Sequence, residues 1–211
     1  MHERTNITLP TPLESLALRI VLASGSKYRR DLLQRLGLQF EHHSPDINEQ
    51  SLPAEEPEEL ARRLALSKAR ALINKYPNSL IIGSDQVAWL DGKQLHKPGN
   101  AANNRHQLAS CAGRVVHFYT AIALINSRTG NEQVSVESYE TRFKQLSAAQ
   151  IAQYVEREKA FDCAGGFKME GLGIALFDYI RGDDPNSLIG LPLIRLCEML
   201  NKEGLDVLTS S

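Results

Sequence analysis

Residues 80–87 read LIIGSDQV, and they form the most informative segment of this 211-residue chain. An aliphatic run leads into Gly83 and two small or acidic polar residues, and a second apolar run follows from Val87 to Leu90. Strands are depleted in aspartate, and a carboxylate buried without a partner is costly. Asp85 therefore either pairs with a cation inside the protein or takes part in chemistry. Because Gly-Ser-Asp is also favourable turn chemistry, a turn with Asp85 in solvent remains open.

Strand and helix patterns alternate on both sides of this segment. Upstream, a short strand passes through a Ser-Gly-Ser turn into a helix, and a long amphipathic helix begins at Pro57. Downstream, the pattern predicts a short helix, a hairpin of two long strands, a capped helix, a strand and a final helix. The short helix lies near residues 101–111 and the two hairpin strands near 115–125 and 134–143. The capped helix lies near 147–155, the strand near 174–180 and the final helix near 192–204.

The interleaved elements predict an α/β fold, and the hairpin predicts a mixed sheet rather than an all-parallel one. We expect an elongated central sheet flanked by helices, with two lobes around a cleft. No linker rich in Pro, Gly or Ser divides the chain, so residues 18–211 are predicted to form one domain. Residues 1–17 show no periodicity and are predicted to be an unstructured or loosely attached extension.

The charge balance excludes binding driven by a global electrostatic field. Lys and Arg number 24 against 25 Asp and Glu, which gives a formal charge of -1. We therefore expect no affinity for duplex nucleic acid or an anionic membrane, and a bound phosphate needs a local site. The apolar runs are far shorter than the ~20 residues that span a bilayer. The start of the chain lacks the pattern of a secretory signal, so a cytoplasmic location is predicted.

Two further positions have the character of site residues. Lys68 follows Leu60 and Leu64 at helical spacing, which places an ammonium group on an apolar stripe. It needs a partner or a ligand, unless its head group reaches solvent at the stripe's edge. If Lys68 reaches the phosphates of a ligand, Lys68→Met should hold or raise the thermal stability of the protein without ligand, because a thioether fits the stripe better than a charge, and should severely lower kcat/KM. Ser24 and Arg29 flank a turn that opens a helix, which suits a phosphate, although a simple serine cap with a solvated arginine fits as well.

Several segments, taken in order, resemble the Maf family of nucleoside triphosphate pyrophosphatases, from about Ile20 to Gly204. The strongest matches are ASGSKYRRDLL at 23–33, SPDINE at 44–49, SKA at 67–69 and IGSDQV at 82–87. Shorter matches are KP at 97–98, FYT at 118–120, CAGGFK at 163–168, DPN at 184–186 and GLP at 190–192. Gln86 together with Glu170 resembles the branch of the family that hydrolyses 7-methyl-GTP.

The resemblance implies a role for each matching site residue. Asp85 would be the proton acceptor, with Glu49, Lys68 and Lys97 as further catalytic residues. The other roles would be a phosphate cradle (Ser24 and Arg29), selection of the base (Tyr28, Gln86 and Glu170) and binding of a divalent cation, Mg²⁺ or Mn²⁺ (Glu49 and Asp85). A cationic methylated base would suit both a carboxylate and an aromatic ring.

The resemblance predicts hydrolysis of 7-methyl-GTP to 7-methyl-GMP and pyrophosphate by a cytoplasmic enzyme. Four alternatives stay open at this point. The same reaction could act on dTTP or UTP, or on another modified nucleotide. The chain could also be a nucleotide-binding regulator of cell division with little turnover, or a protein that binds a sugar phosphate or another small molecule. The expected partner is a small nucleotide, and a homodimer is also left open.

Overall fold

The computed structural model describes residues 18–209, and at its centre lies a seven-stranded sheet. The strands are β1 (Arg19–Leu22), β2 (Phe40–His42), β3 (Ser79–Leu90), β4 (Lys93–Leu95), β5 (Val115–Asn126), β6 (Asn131–Phe143) and β7 (Phe177–Arg181). The helices are α1 (Lys27–Gln34), α2 (Pro57–Arg70), α3 (Ala101–Cys111), α4 (Ala148–Glu158) and α5 (Leu193–Lys202). The extension predicted over residues 1–17 lies outside the described residues.

The sheet is mixed, as predicted. Its strand order is β2-β1-β3-β5-β6-β7, with β4 paired to β3 as well. Strand β1 runs parallel to β2 and β3, whereas β5 is antiparallel to both β3 and β6. The hairpin of β5 and β6 pairs residues from Val115 opposite Arg142 to Asn126 opposite Asn131. The predicted capping box of α4, formed by Ser147 and Gln150, is also present.

Strand β3 is continuous through Gly83 and Asp85, so the turn that the sequence left open is wrong. Asp85 pairs with Ala121 of β5, within a ladder that runs unbroken from Leu80 to Trp89. The pairing partners lie about 40 residues away in sequence, which is why local turn propensity does not prevail here. Asp85 is consequently buried, with 9% of its surface exposed.

The two faces of β3 pack against different helices. Ile81 and Val87 belong to one apolar cluster with the buried stripe of α2, and Leu80 and Ile82 belong to another with α1 and α5. Since side chains alternate along a strand, Gly83 and Asp85 share the α2 face. A Cβ atom at Gly83 would overlap the carbonyl oxygen of Ala65 and lie 3.0 Å from the Ala69 nitrogen. Because Gly83 has no side chain, the α2 backbone can pack directly against β3.

A third apolar cluster forms the other lobe. It joins the far ends of β3, β5 and β6 to α3 and α4, and four phenylalanine rings meet edge to face within it: Phe118, Phe143, Phe167 and Phe177. The long strands β3, β5 and β6 therefore connect two separately packed lobes. No helix in residues 18–209 has the length and apolar character to cross a bilayer.

The strand predicted over residues 174–180 is only partly correct. Leu172–Leu176 form a 3-10 helix, and β7 begins at Phe177. The Gly173 nitrogen donates to the Lys168 carbonyl at 3.1 Å, and a Cβ on Gly173 would overlap that carbonyl. The glycine permits a tight turn where the apolar pattern alone indicates a strand.

Gly83→Ala should destabilise the protein by about 3 kcal/mol, because the methyl group would push α2 away from the central strand. Urea unfolding of the variant and the wild type measures this loss. Gly92→Ala is the matched control: its new Cβ meets open space, and its positive φ of 81° should cost only about 1 kcal/mol. Equal losses in the two variants would contradict the close approach of α2.

Candidate active site

The cleft opens where one edge of β3 lacks a neighbouring strand. On this edge β1 pairs with β3 as far as Ile82, and β4 begins its pairing at Ala88. Within the described residues, the stretch between them faces no strand on that side. A cavity of about 860 Å³ lies there and is lined by both Asp85 and Gln86. The interrupted pairing thus exposes the middle of a core strand to a ligand.

Lys68 joins the two carboxylates that the sequence analysis singled out. Its Nζ lies 2.5 Å from Oδ1 of Asp85 and 2.7 Å from Oε1 of Glu49. The Lys68 and Asp85 side chains are only 9% and 12% exposed, whereas that of Glu49 is 59% exposed. The lysine predicted to need a partner therefore has two, one buried on β3 and one in the segment that precedes α2.

The environment of Glu49 keeps its carboxyl group ionised. Burial alone would raise the pKa of Glu49, but the hydrogen bond from Lys68 and the charges of Lys68, Lys97 and Arg29 outweigh it. The net pKa therefore lies below its ordinary value. An anionic Glu49 in turn leaves the Lys68 ammonium shared between two negative groups.

The guanidinium of Arg29 is held by hydrogen bonds to polar groups of the protein. Its Nε donates to the carbonyl of Gly190 at 2.8 Å, and its Nη1 lies 3.4 Å from Oγ of Ser24. Burial lowers the pKa of Arg29, while the charges of Asp85 and Glu49 raise it. Arg29 lines the cavity and Ser24 does not. Of the predicted phosphate cradle, the structure places the arginine at the cleft and the serine behind it, while Ser26 caps α1 at the cavity wall.

Lys97 completes a group of cations around the cavity. It follows β4 and lines the cavity together with Arg29 and Lys68. Three cationic side chains thus surround two carboxylates, Glu49 and Asp85. In the part of the cavity beside Glu49 and Asp85 the three cations outnumber the carboxylates, so this part suits a ligand with several phosphate groups.

The three residues predicted to select the base all line the same cavity. Tyr28 donates its hydroxyl to Oδ1 of Asp162 at 3.1 Å, and Glu170 is exposed at the rim. Gln86 is different, because its Nε2 donates to the carbonyl of Ser187 at 2.9 Å and to Oγ1 of Thr120 at 3.0 Å. The amide hydrogens of Gln86 are therefore engaged within the protein, and only its carbonyl oxygen remains for a ligand.

Asp162 and Cys163 are cavity residues that the sequence analysis did not identify. Burial, together with interactions with Cys163 and Asp162, raises the pKa of Tyr28, so its hydroxyl stays protonated. Burial raises the pKa of the Cys163 thiol to about 12, which leaves it without nucleophilic thiolate at neutral pH. No local pattern marks Asp162, since its partner lies 134 residues away.

Comparison with known proteins identifies close relatives of the chain. A family model described as Maf-like protein matches residues 19–203. A protein of Chromohalobacter salexigens named 7-methyl-GTP pyrophosphatase is 53% identical over 190 residues, which cover 90% of this chain and 98% of that protein. A protein of the same name from Idiomarina loihiensis is 50% identical over 195 residues, covering 92% and 98%.

A solved structure, that of the Staphylococcus aureus Ham1 protein, overlaps the chain less closely. The overlap covers 88% of this chain and 99% of that one, with a TM-score of 0.49 and 16% sequence identity. A similarity at that level says nothing about the activity of this chain.

Lys68→Met should destabilise the protein by about 3 kcal/mol, because it leaves the Asp85 carboxylate buried without a cation. This reverses the expectation from the apolar stripe, which considered the helix without Asp85. The double variant Lys68→Met/Asp85→Asn should recover most of the loss, since the only carboxylate then left without Lys68 is that of Glu49, which is 59% exposed. Chemical unfolding of both variants measures the two effects.

The exposed Lys93 offers a matched control for that experiment. Lys93→Met should change the free energy of unfolding by less than about 0.5 kcal/mol. A Lys68→Met protein as stable as Lys93→Met would show that the buried ion pair contributes nothing to the folded state.

Proposed function

The chain belongs to the Maf-like protein family, and we propose that it is a hydrolase that converts 7-methyl-GTP to 7-methyl-GMP and pyrophosphate. The relatives described above carry the name of that activity. The observation that carries the proposal is a buried carboxylate, Asp85, paired with Lys68 in a cleft that also contains two further cations. This arrangement provides a base beside a binding region for a polyphosphate.

The cations bind the triphosphate and stabilise the charge that develops on it. Arg29, Lys68 and Lys97 approach the cavity from α1, from α2 and from the segment after β4. Arg29 and Lys68 are held in place by contacts within the protein before the ligand arrives, so these two cations need little reorganisation at the moment of bond cleavage. Negative charge builds up on the bridging oxygen as the bond between the α and β phosphates breaks and pyrophosphate leaves. The contacts with the cations therefore strengthen in the transition state.

Asp85 activates the water molecule. Its Oδ1 accepts a hydrogen bond from Lys68, which orients the carboxylate and leaves the second oxygen for a water proton. The proton passes from water to Asp85 as the new bond from oxygen to phosphorus forms and the anhydride bond breaks. Lys68 therefore acts both on the phosphates and on the geometry of the base.

The donor set in the cleft fits a divalent cation with oxygen ligands. Glu49 and Asp85 both contact the ammonium nitrogen of Lys68, at 2.7 Å and 2.5 Å, so the two carboxylates lie near each other and their remaining oxygens would be the ligands of the cation. Carboxylates suit Mg²⁺ or Mn²⁺ better than zinc. In residues 18–209 no group of three acidic, His or Cys side chains converges, so substrate phosphates would complete the ligand set. When bound, the cation supplies positive charge against the phosphate oxygens.

The rim of the cleft suits a positively charged base. Glu170 and Asp162 both line the cavity, and Tyr28 presents its ring beside them. A methylated guanine is cationic, so it gains attraction from the carboxylates and from the face of the ring. A dTTP or UTP base gains neither, which favours 7-methyl-GTP over those substrates.

A regulator with little turnover would not need Asp85. The cytoplasmic location and the homodimer remain predictions.

Asp85→Asn should abolish pyrophosphate release and preserve the fold, because the amide keeps the size of the side chain but cannot accept the proton. The assay measures pyrophosphate released from a panel of nucleotides that includes 7-methyl-GTP, GTP, dTTP and UTP. Asp178→Asn, which changes an exposed carboxylate on β7, is the control and should retain full activity. Turnover of Asp85→Asn near the wild-type rate would remove Asp85 from the mechanism.

Glu170→Gln should reduce discrimination between 7-methyl-GTP and GTP by roughly tenfold, since the neutral amide loses its attraction for a cationic base. The ratio of the two kcat/KM values measures this effect, and kcat for GTP should stay unchanged. Glu156→Gln, at an exposed position of α4, is the control. An unaltered ratio in Glu170→Gln would place base recognition elsewhere in the cavity.

A further inference from the structure

The segment from Asp184 to Pro192, here called the clamp loop, accepts hydrogen bonds at its main-chain carbonyls from side chains of β3 and β5. The Ser187 carbonyl accepts from Nε2 of Gln86 and from Oγ1 of Thr120, both at 2.9 Å. The Gly190 carbonyl accepts from Oγ of Ser84 at 2.9 Å and from Nε of Arg29 at 2.8 Å. Arg29 is therefore held at the cleft by a loop that β3 and β5 hold in turn.

The clamp loop is also secured at both ends. Asp184 is buried, with 1% of its surface exposed, and its side chain accepts from the backbone nitrogens of Asn186 at 2.9 Å and Ile194 at 2.7 Å. Gly190 has a φ of 125°, a conformation that favours glycine. Because both ends are fixed, the remaining conformational freedom of the clamp loop lies in its middle. There the side chains of β3 and β5 form hydrogen bonds with its carbonyls.

Thr120 acts on this loop without reaching the cavity. It is buried, with 1% of its surface exposed, and it stands opposite Gln86 in the ladder between β3 and β5. It is not among the residues that line the cavity, whereas Gln86 and Gly190 are. Any influence of Thr120 on a ligand must therefore pass through the clamp loop or through Gln86.

We infer that Thr120 is a positioning residue, which fixes the clamp loop so that the Gly190 carbonyl aims the Arg29 guanidinium at the phosphates. The inference rests on the proposed function for its link to turnover. Arginine has five donors in a planar fork, so fixing Nε–H to one carbonyl orients all the others. Loss of the Thr120 hydroxyl should leave Arg29 present but less well aimed.

A matched pair of threonine variants tests the inference. Thr141 on β6 is also fully buried, and its Oγ1 also donates to a main-chain carbonyl, that of Val116 at 3.1 Å. Thr120→Val and Thr141→Val each remove one buried hydroxyl and keep the side-chain volume. Because the Thr120 hydroxyl also accepts from Nε2 of Gln86 at 3.0 Å, Thr120→Val is expected to lose at least as much stability as Thr141→Val. Thr120→Ser restores the hydroxyl and should recover the wild-type behaviour.

Two readouts separate positioning from a general structural effect. The first is kcat/KM over the nucleotide panel, which should fall roughly three- to tenfold for every nucleotide in Thr120→Val and stay unchanged in Thr141→Val. The second is the affinity for inorganic pyrophosphate, measured by calorimetry without turnover, which should weaken by a similar factor in Thr120→Val alone. This second readout does not depend on the identity of the substrate.

Three results would count against these ideas in distinguishable ways. Equal activities and pyrophosphate affinities in the two valine variants would overturn the inference. A loss confined to one nucleotide would also overturn it, because the effect would then pass through Gln86 and the base. If the wild type released pyrophosphate from no nucleotide, the proposed function would be wrong, and the pyrophosphate affinities alone would decide the role of Thr120.

Discussion

The ion pair between Lys68 and Asp85 is the constraint on which the rest of the cleft depends. Both side chains are almost fully buried, and a charge in that environment is tolerated only with its partner in contact. Contact requires α2 to lie directly on β3, which Gly83 permits because a Cβ there would overlap the helix backbone. A missing side chain two residues from Asp85 thus permits the contact between Lys68 and Asp85 inside the protein.

The same strand serves the site from both of its faces. Asp85 projects towards α2, while Ser84 and Gln86 project the other way and bind carbonyls of the loop that holds Arg29. Strand alternation therefore places Asp85 on one side of β3 and the groups that support Arg29 on the other. Because β1 ends its pairing before this stretch and β4 begins after it, the backbone between them borders the cavity.

The cleft brings charged side chains of both signs together in a chain whose formal net charge is -1. Arg29, Lys68 and Lys97 line the cavity, and so do Asp162, which accepts from the Tyr28 hydroxyl, and Glu170. A triphosphate with a cationic base presents the opposite pattern, negative at one end and positive at the other. A ligand of this kind would be recognised by the local arrangement of charges rather than by the overall charge of the chain.

Local patterns in the sequence were enough to predict the alternating elements, the mixed sheet, the need of Lys68 for a partner and the family. They were not enough to choose between strand and turn at Asp85, because the β5 ladder that decides it lies far away in sequence. The engagement of the Gln86 amide by the clamp loop, about 100 residues on, also depends on tertiary structure, as does the bond between Tyr28 and Asp162. Periodicity and capping depend on neighbours within a few residues, whereas burial and hydrogen-bond partners depend on which distant segments the fold brings together.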